Sequence, residues 1–274
     1  MKLFDSHCHL QDSRIAADAG NVVERALNKG VAGLLCCGSE TSDWEDVLRL
    51  ARRFTPIIPS FGIHPWYIHE VPPNWQEILK KYLLQIPSAV GEIGLDQKFT
   101  ANPMDLQEYF LIEQLRMAEE LQRPVSIHCV KAWHILTPIL SDFKNAGIGI
   151  QLHSYNGGSE MVDKLVNLGC YFSFSGSLTR LKNKKAHSAL RRIPPERLLL
   201  ETDAPDIPPE INGKIDFSVP TEPAGLYYVI RFAADLLNMD IDDLADRVWQ
   251  NSITFLGQIG KKIQPDIHFS SSDE

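Results

Sequence analysis

Short apolar runs alternate with longer amphipathic stretches along the chain. Eight of the short runs predict strands: Leu3–His9, Val31–Cys37, Ile57–Ile63, Ala89–Leu95, Val125–His128, Gly149–His153, Cys170–Phe174 and Leu198–Asp203. The stretches between them carry the wider spacing of helices, near Val22–Lys29, Asp43–Phe54, Trp75–Gln85, Met104–Leu121, Ala132–Lys144, Ser159–Leu168, Lys184–Arg191 and Pro223–Leu237. A further helix, Ile241–Leu256, follows. Several strands, such as Val31-Ala32-Gly33-Leu34-Leu35, are apolar on both faces, which suits a parallel sheet covered by helices. Eight strand–helix units in this length predict the α/β class and a (β/α)8 TIM barrel. An open doubly wound sheet is the alternative that pattern alone leaves standing.

Local signals place some helix starts. Ser42 with Glu45 three positions on reads as a capping box. Asn102 before Pro103 reads as a cap followed by proline in the first turn. The next stretch aligns Met104, Phe110, Leu111, Leu115, Ala118 and Leu121 on one stripe. Residues 1–260 are expected to form the barrel, and Lys261–Glu274, polar and ending in Ser-Ser-Ser-Asp-Glu, a loose tail.

Composition narrows the classes. With 274 residues, 44% hydrophobic and 23% charged, the chain can bury a large core, which excludes disorder as its main state. A net charge of −8 argues against wrapping duplex DNA along a basic face. Bound cations can still reverse the charge locally. No run of about 18 apolar residues predicts a membrane span, and the start has no apolar signal core. Five cysteines (Cys8, Cys36, Cys37, Cys129 and Cys170) without regular spacing read as buried thiols in a reducing, cytoplasmic setting.

The polar residues on the strands carry the chemistry. His7 and His9 end the first strand, Glu92 lies within the fourth, His128 ends the fifth, His153 the sixth and Asp203 the eighth. In a barrel those strand ends open onto one face, where active sites are built. Four imidazoles and two carboxylates, far apart in sequence, are therefore expected to converge. Strand alternation puts His7 and His9 on one side and Cys8 on the other, toward the helices. Asp5 is expected to share the inward face with His7 and to orient an imidazole.

These residues sit in blocks: Phe4-Asp5-Ser6-His7-Cys8-His9-Leu10, Gly62-Ile63-His64-Pro65, Gly91-Glu92-Ile93-Gly94-Leu95-Asp96, His153-Ser154-Tyr155, Tyr171-Phe172-Ser173-Phe174-Ser175-Gly176 and Leu200-Glu201-Thr202-Asp203-Ala204-Pro205. In content and order the set resembles the TatD family of metal-dependent hydrolases, to about Leu256. The resemblance implies an amidohydrolase-type TIM barrel with a two-metal centre and deoxyribonuclease activity, as a 3′–5′ exonuclease or a DNA-repair enzyme. It implies that His7, His9 and Asp203 hold one metal and His128 and His153 the other, with Glu92 bridging. Two stretches depart from the family's pattern. His128-Cys129-Val130-Lys131-Ala132 stands where many members read His-Ser-Arg-Asp-Ala, and Thr221-Glu222-Pro223 where they read Asn-Glu-Pro.

Phosphodiester hydrolysis needs an activated water and a sink for charge on the phosphoryl oxygens, and two cations supply both. Glu92 suits a bridge because a carboxylate has two oxygens. Related barrel hydrolases carry a carboxylated lysine at that strand, and none lies there. Asp203 is expected to combine ligation with general-base duty, and Glu201, two positions earlier, to tune it or meet the substrate. His64, in the turn fixed by Pro65, is expected to donate a hydrogen bond to a phosphate oxygen or leaving group. Lys131 is read as a candidate phosphate contact. Trp66, Tyr67 and Tyr155 are read as stacking platforms for bases or as loop packing. His69, His134, His187 and His268 read as ordinary surface or packing histidines. Mg2+, Mn2+, Zn2+ and Fe2+ all suit the donor set. The partner expected is DNA, through single-stranded ends that can enter a deep mouth, with the protein a monomer and no membrane involved. The competing readings are a metal-dependent hydrolase of a small-molecule ester, amide or lactone, and a binding scaffold without turnover.

Overall fold

The computed structural model describes residues 1–263. Eight parallel strands stand side by side in chain order: β1 (Leu3–Cys8), β2 (Val31–Cys37), β3 (Ile57–Phe61), β4 (Ala89–Asp96), β5 (Val125–Val130), β6 (Ile150–Leu152), β7 (Cys170–Phe174) and β8 (Leu198–Leu200). Helices cover the outside: α1 (Ala19–Asn28), α2 (Trp44–Arg53), α3 (Trp75–Gln85), α4 (Met104–Glu120), α5 (Trp133–Asp142), α6 (Val162–Asn167), α7 (Lys184–Arg192), α8 (Leu226–Leu237) and α9 (Ile241–Leu256). The ends of the sheet meet where Asp203 N donates to His7 O (3.0 Å) and His9 N to Ala204 O (2.7 Å). The architecture is the (β/α)8 TIM barrel, and closure excludes the open sheet.

The interior changes character from floor to mouth. Phe4, Leu35, Ile58, Tyr171 and Leu199 form an apolar floor, which Phe255, Leu256 and Ile259 from the chain's last helical turns close from below. Above it lies a buried polar layer. Gln151 Nε2 donates to Ser6 Oγ (3.0 Å), Ser173 Oγ (2.9 Å) and Glu201 Oε2 (3.1 Å). The ionisable residues sit above that. Outside the barrel, α4 buries Phe110, Leu111, Leu115 and Ala118, as its stripe predicts. Truncating Leu111 to alanine removes packing worth about 2–5 kcal/mol. The same stripe also buries Gln107 and Gln114, which the pattern did not reveal. Their side-chain oxygens accept from Asp96 N (2.7 Å) and Ile63 N (2.7 Å), fixing the ends of β4 and β3.

Some local expectations fail. Helix α2 starts after Asp43, not Ser42, and no side chain caps it; Asp43 Oδ2 instead accepts from Ser39 N at 2.9 Å. Asn102 does not cap α4: its amide reaches across to the carbonyls of Pro65 (2.7 Å) and Trp66 (3.1 Å). In β1, Asp5 pairs with Leu34 but Cys8 with Cys36, so one extra residue is inserted between them. That bulge breaks the alternation on which Asp5's expected place depended. An additional hairpin, β9 (Glu210–Ile211) with β10 (Lys214–Ile215), turns at Asn212 (φ 51°) and Gly213 (φ 74°). The Asn-Gly pair is the signal for such a turn. The five cysteines are buried and unpaired. The expected tail lies outside the described residues from 264 on, while Lys261–Ile263 still belong to a 3-10 helix, Gly257–Ile263. No helix among the described residues is long and apolar enough to cross a membrane.

Candidate metal centre

Backbone geometry first brings the strand ends together. Gly91 and Gly94 flank Glu92 with φ of 154° and 151°. A Cβ at Gly94 would stand 2.0 Å from His128 O, so only glycine lets β4 lie this close to β5. Beyond the strands, Lys131, Ser154 and Asp203 all adopt left-handed backbone, with φ of 58°, 43° and 58°. Such turns are uncommon for residues with a Cβ and gather at functional sites.

Of the six expected ligand residues, the other five gather around Glu92. Its Oε2 lies 3.3 Å from His7 Nε2 and 3.4 Å from His9 Nε2. Its Oε1 lies 2.8 Å from His153 Nε2 and 3.0 Å from His128 Nδ1. Asp203 Oδ1 joins the first side, 3.8 Å from His7 Nε2 and 3.7 Å from His9 Nε2. The two sides are in contact, with the His7 and His153 rings stacked at 4.0 Å. His64 joins the second side, with Nε2 3.4 Å from Glu92 Oε1.

Hydrogen bonds fix which ring nitrogens carry protons. The Cys37 carbonyl can only accept, so His9 Nδ1 (2.8 Å away) donates, and Nε2 is the nitrogen left to face Glu92. The Asp96 carboxylate, 3.2 Å from His128 Nε2, makes that nitrogen a donor and leaves Nδ1 to face Glu92. His64 is the reverse. Its Nδ1 accepts from Trp66 N (3.2 Å), so Nε2 carries the proton and is a donor on the Glu92 side. Burial pushes His64 down to about 4, which keeps it neutral at pH 7.

Charge is concentrated here. Burial opposes ionisation of Glu92, but the facing imidazoles of His153, His64 and His7 outweigh it and hold its carboxyl well below the usual range. Burial likewise opposes protonation of His9 and His153. Asp203 and Glu92 beside the first, and Glu92 and Glu201 beside the second, outweigh it and raise both well above the imidazole range. Burial also opposes ionisation of Asp203, but His9, His153 and His7 bring it down to about 2. Within each side two ring nitrogens face one another: His7 Nε2 and His9 Nε2 at 3.1 Å, His128 Nδ1 and His153 Nε2 at 3.3 Å. With His9 and His153 held protonated, imidazolium protons lie between these nitrogens and the carboxylates, and a divalent cation would take their place. Three groups, His7/His153/Asp203, His7/His9/Glu92 and His64/Glu92/His128, have ligand atoms within 4.8 Å of one another and could hold a metal ion. The donor set fits a divalent metal.

Other expectations are corrected by the surroundings. Asp5 orients no imidazole: Oδ1 accepts from Thr202 N (2.9 Å), Oδ2 from Thr202 Oγ1 (2.5 Å), and burial pushes its carboxyl up to about 8. The partners that do orient rings are Ser126 Oγ (2.8 Å from His7 Nδ1), the Cys37 carbonyl and Asp96. Glu201 cannot meet a substrate, because it is fully buried and its oxygens accept from Ser154 N (2.7 Å), Ser173 Oγ (2.5 Å) and Gln151. It stands behind His153, with Oε1 3.5 Å from Nδ1. Lys131 is exposed and does not line the mouth. The cations that do line it, Arg14, Lys98, Arg180 and Lys185, went unread in the sequence. Tyr155 is buried against Phe172 and Phe174, so it packs, whereas Trp66 is 42% exposed at the mouth. His187 is a packing histidine bonded to Leu178 O (2.9 Å), and His268 lies outside the described residues.

Comparison with known proteins agrees with this arrangement. The chain is 28% identical over 258 residues to "Uncharacterized metal-dependent hydrolase YjjV" of Escherichia coli (strain K12), covering 92% of this chain and 97% of that one. It is 30% identical over 261 residues to "3'-5' ssDNA/RNA exonuclease TatD" of Shigella flexneri serotype 5b, covering 93% and 99%. The crystal structure of the E. coli YjjV TatD homologue superposes with a TM-score of 0.86 at 28% identity, over 93% of this chain and 97% of that one. Residues 4–257 match the family described as TatD related DNase; the chain belongs to that family and is a metal-dependent hydrolase of ester bonds.

Proposed function

We propose that this protein is a nuclease that hydrolyses phosphodiester bonds of single-stranded DNA from the 3′ end, using two divalent cations. His7, His9 and Asp203 would hold one, His128 and His153 the other, and Glu92 would reach both. The observation that carries the reading is the division of Glu92: one oxygen faces His7 and His9, the other His128 and His153. Bound divalent cations supply Lewis acidity to the phosphoryl oxygens and lower the pKa of water. Mn2+, Mg2+ and Zn2+ all suit this mixed nitrogen and oxygen set.

The chain's own groups do the rest. Asp203, ionised and partly open to the mouth, accepts the proton of the attacking water. His64 donates from Nε2 to a phosphoryl or leaving oxygen, a role open to it because it stays neutral. Trp66, stacked on Phe99 at 5.6 Å, offers its exposed face to a nucleobase. The mouth, about 1060 Å³, is ringed by loops with the nearly buried Glu92 in its lining, a form that suits a flexible end better than a duplex interior. The name carried by the Shigella relative supports the substrate and the polarity.

The test uses 5′- and 3′-labelled single strands and a circular strand of equal length, with Mn2+ or EDTA. The reading expects metal-dependent release of mononucleotides from the 3′ end and an intact circle. Cleavage of the circle at the linear rate would overturn the exonuclease assignment, and activity that survives EDTA would overturn the role of the cations.

A further inference from the structure

The rim of the mouth holds four cationic side chains, and one is unlike the rest. Arg14 is already engaged: its guanidinium binds Asp12 and Asp206, each at 2.8 Å. Lys98 and Lys185 are exposed. Arg180 is half-buried in the wall, its Nε is buried without a hydrogen-bond partner among the described residues, and it takes part in no ion pair there. Leaving a buried guanidinium donor unpaired is costly unless a ligand satisfies it.

The segment that carries Arg180 is held in place. Thr179 Oγ1 donates to Gly176 O (2.8 Å) and accepts from Glu210 N (2.6 Å), which ties it to the loop after β8. Asn183 N donates to Arg180 O (2.8 Å), and Asn183 Nδ2 to Ser177 O (3.0 Å). A Cβ at Gly176 would stand 2.1 Å from Ile207 O, so this segment lies directly against that loop. Arg180 is thus presented by a fixed turn, and Lys185, one turn on, lines the same wall.

Its strand supplies none of the proposed ligands. Arg180 follows β7, between β6 and β8, whose following turns carry His153 and Asp203, while Glu92 and the other histidines come from β1, β4, β5 and the turns after β1 and β3. Trp66, after β3, is four strands from β7 in an eight-stranded ring, hence on the opposite side of the mouth. The volume of the mouth is just above the ~300–1,000 Å³ typical of ligand pockets, so it has room beyond one phosphodiester. The end of β5 offers no lysine or arginine in exchange, since Cys129 and Val130 line the mouth there and Lys131 does not.

We infer that Arg180, supported by Lys185, forms a subsite for a second phosphate of the substrate, one removed from the scissile bond. This inference rests on the nuclease reading above and deepens it: the preferred substrate is an oligonucleotide, because a lone phosphodiester leaves the subsite empty. A guanidinium fork matches a phosphate in two hydrogen bonds, which a lysine cannot reproduce.

The experiment compares wild type, Arg180→Gln and Arg180→Lys, loaded with Mn2+, on tetrathymidylate and on bis(4-nitrophenyl) phosphate. Binding of a fluorescein-labelled phosphorothioate tetrathymidylate is measured in parallel. The subsite predicts that Arg180→Gln lowers kcat/KM for tetrathymidylate at least tenfold more than for bis(4-nitrophenyl) phosphate, chiefly through KM. It also predicts at least tenfold weaker binding of the phosphorothioate, with Arg180→Lys recovering part of both. Equal losses on the two substrates would mean a structural role for Arg180, and a Kd within twofold of wild type would mean no phosphate contact; either result overturns the inference. If wild type cleaves neither substrate the nuclease reading fails, and the binding comparison still decides on Arg180.

Discussion

The two sides of Glu92 present similar imidazole pairs to one carboxylate, yet each holds its rings by different means. On the His7/His9 side the rings lean on neutral partners, Ser126 Oγ and the Cys37 carbonyl, and the negative charge, Asp203, stands among the ligand atoms themselves. On the His128/His153 side no second carboxylate among the described residues reaches the centre. There the negative charges stand behind the rings, as Asp96 at His128 Nε2 and Glu201 near His153 Nδ1. Each side therefore offers a cation comparable charge, once directly and once through an imidazole made more basic by its partner. The difference teaches that a donor set is defined by what lies behind the rings as much as by the rings.

Removing the element that both sides share has the largest expected effect. Glu92→Gln keeps the shape but deletes the negative charge, and turnover is expected to fall by about three orders of magnitude with the circular dichroism spectrum unchanged. A variant within tenfold of wild type would break the comparison at its centre.

Stripping the metal follows. Cations bound only by the folded state stabilise it by mass action, by about 3 kcal/mol when free metal is a hundredfold above Kd. Chelation of metal-loaded protein is expected to lower Tm by about 5–10 °C. An unchanged melting curve would mean that the crowded donors need no cation.

Changing the supports separates the two sides. Asp96→Asn removes a charge behind His128 and is expected to weaken metal binding about 10–100-fold. Ser126→Ala removes a neutral partner of His7 and is expected to cost only a few-fold. Metal titrations followed by activity measure both, and equal losses would erase the distinction drawn here.

The smallest effect lies at the outer edge of the neutral side. Gln11 Nε2 links the Cys37 carbonyl (2.7 Å) to Asp43 Oδ2 (3.1 Å), and burial raises the Asp43 carboxyl to about 6. An acid whose folded pKa exceeds its unfolded value of 3.8 binds more protons when folded. Its contribution therefore falls as pH rises from about 4 through about 6 and stays low above that. Asp43→Asn is expected to raise Tm by about 2 °C at pH 8 and to leave it unchanged at pH 4. A gain of equal size at both pH values would assign the effect to packing.

The same contrast explains what the sequence revealed. The strand pattern and the six ligand-type residues were legible because period-two alternation and strand-end placement are local properties, and His7-Cys8-His9 shows both. The supports were not, because they depend on register between strands. Asp5 was misplaced by a bulge that shows only in the pairing of β1 with β2. Asp96 was visible in its block, but its bond to His128 depends on how β4 pairs with β5. Glu201 looked accessible beside Asp203, yet it points into the polar layer that Gln151 and Ser173 complete. Arg180 sits in an unpatterned loop where nothing local separates it from its basic neighbours. The buried glutamines of α4 hid within an apolar stripe.

The central claim is that Glu92 joins two cation sites, and metal content tests it most directly. Wild type and Glu92→Gln, loaded with Mn2+ and freed of excess by gel filtration, are analysed for metal per folded chain by mass spectrometry. The account predicts two ions in wild type and one or none in the variant. Two ions in both proteins, or a single ion in wild type, would contradict it.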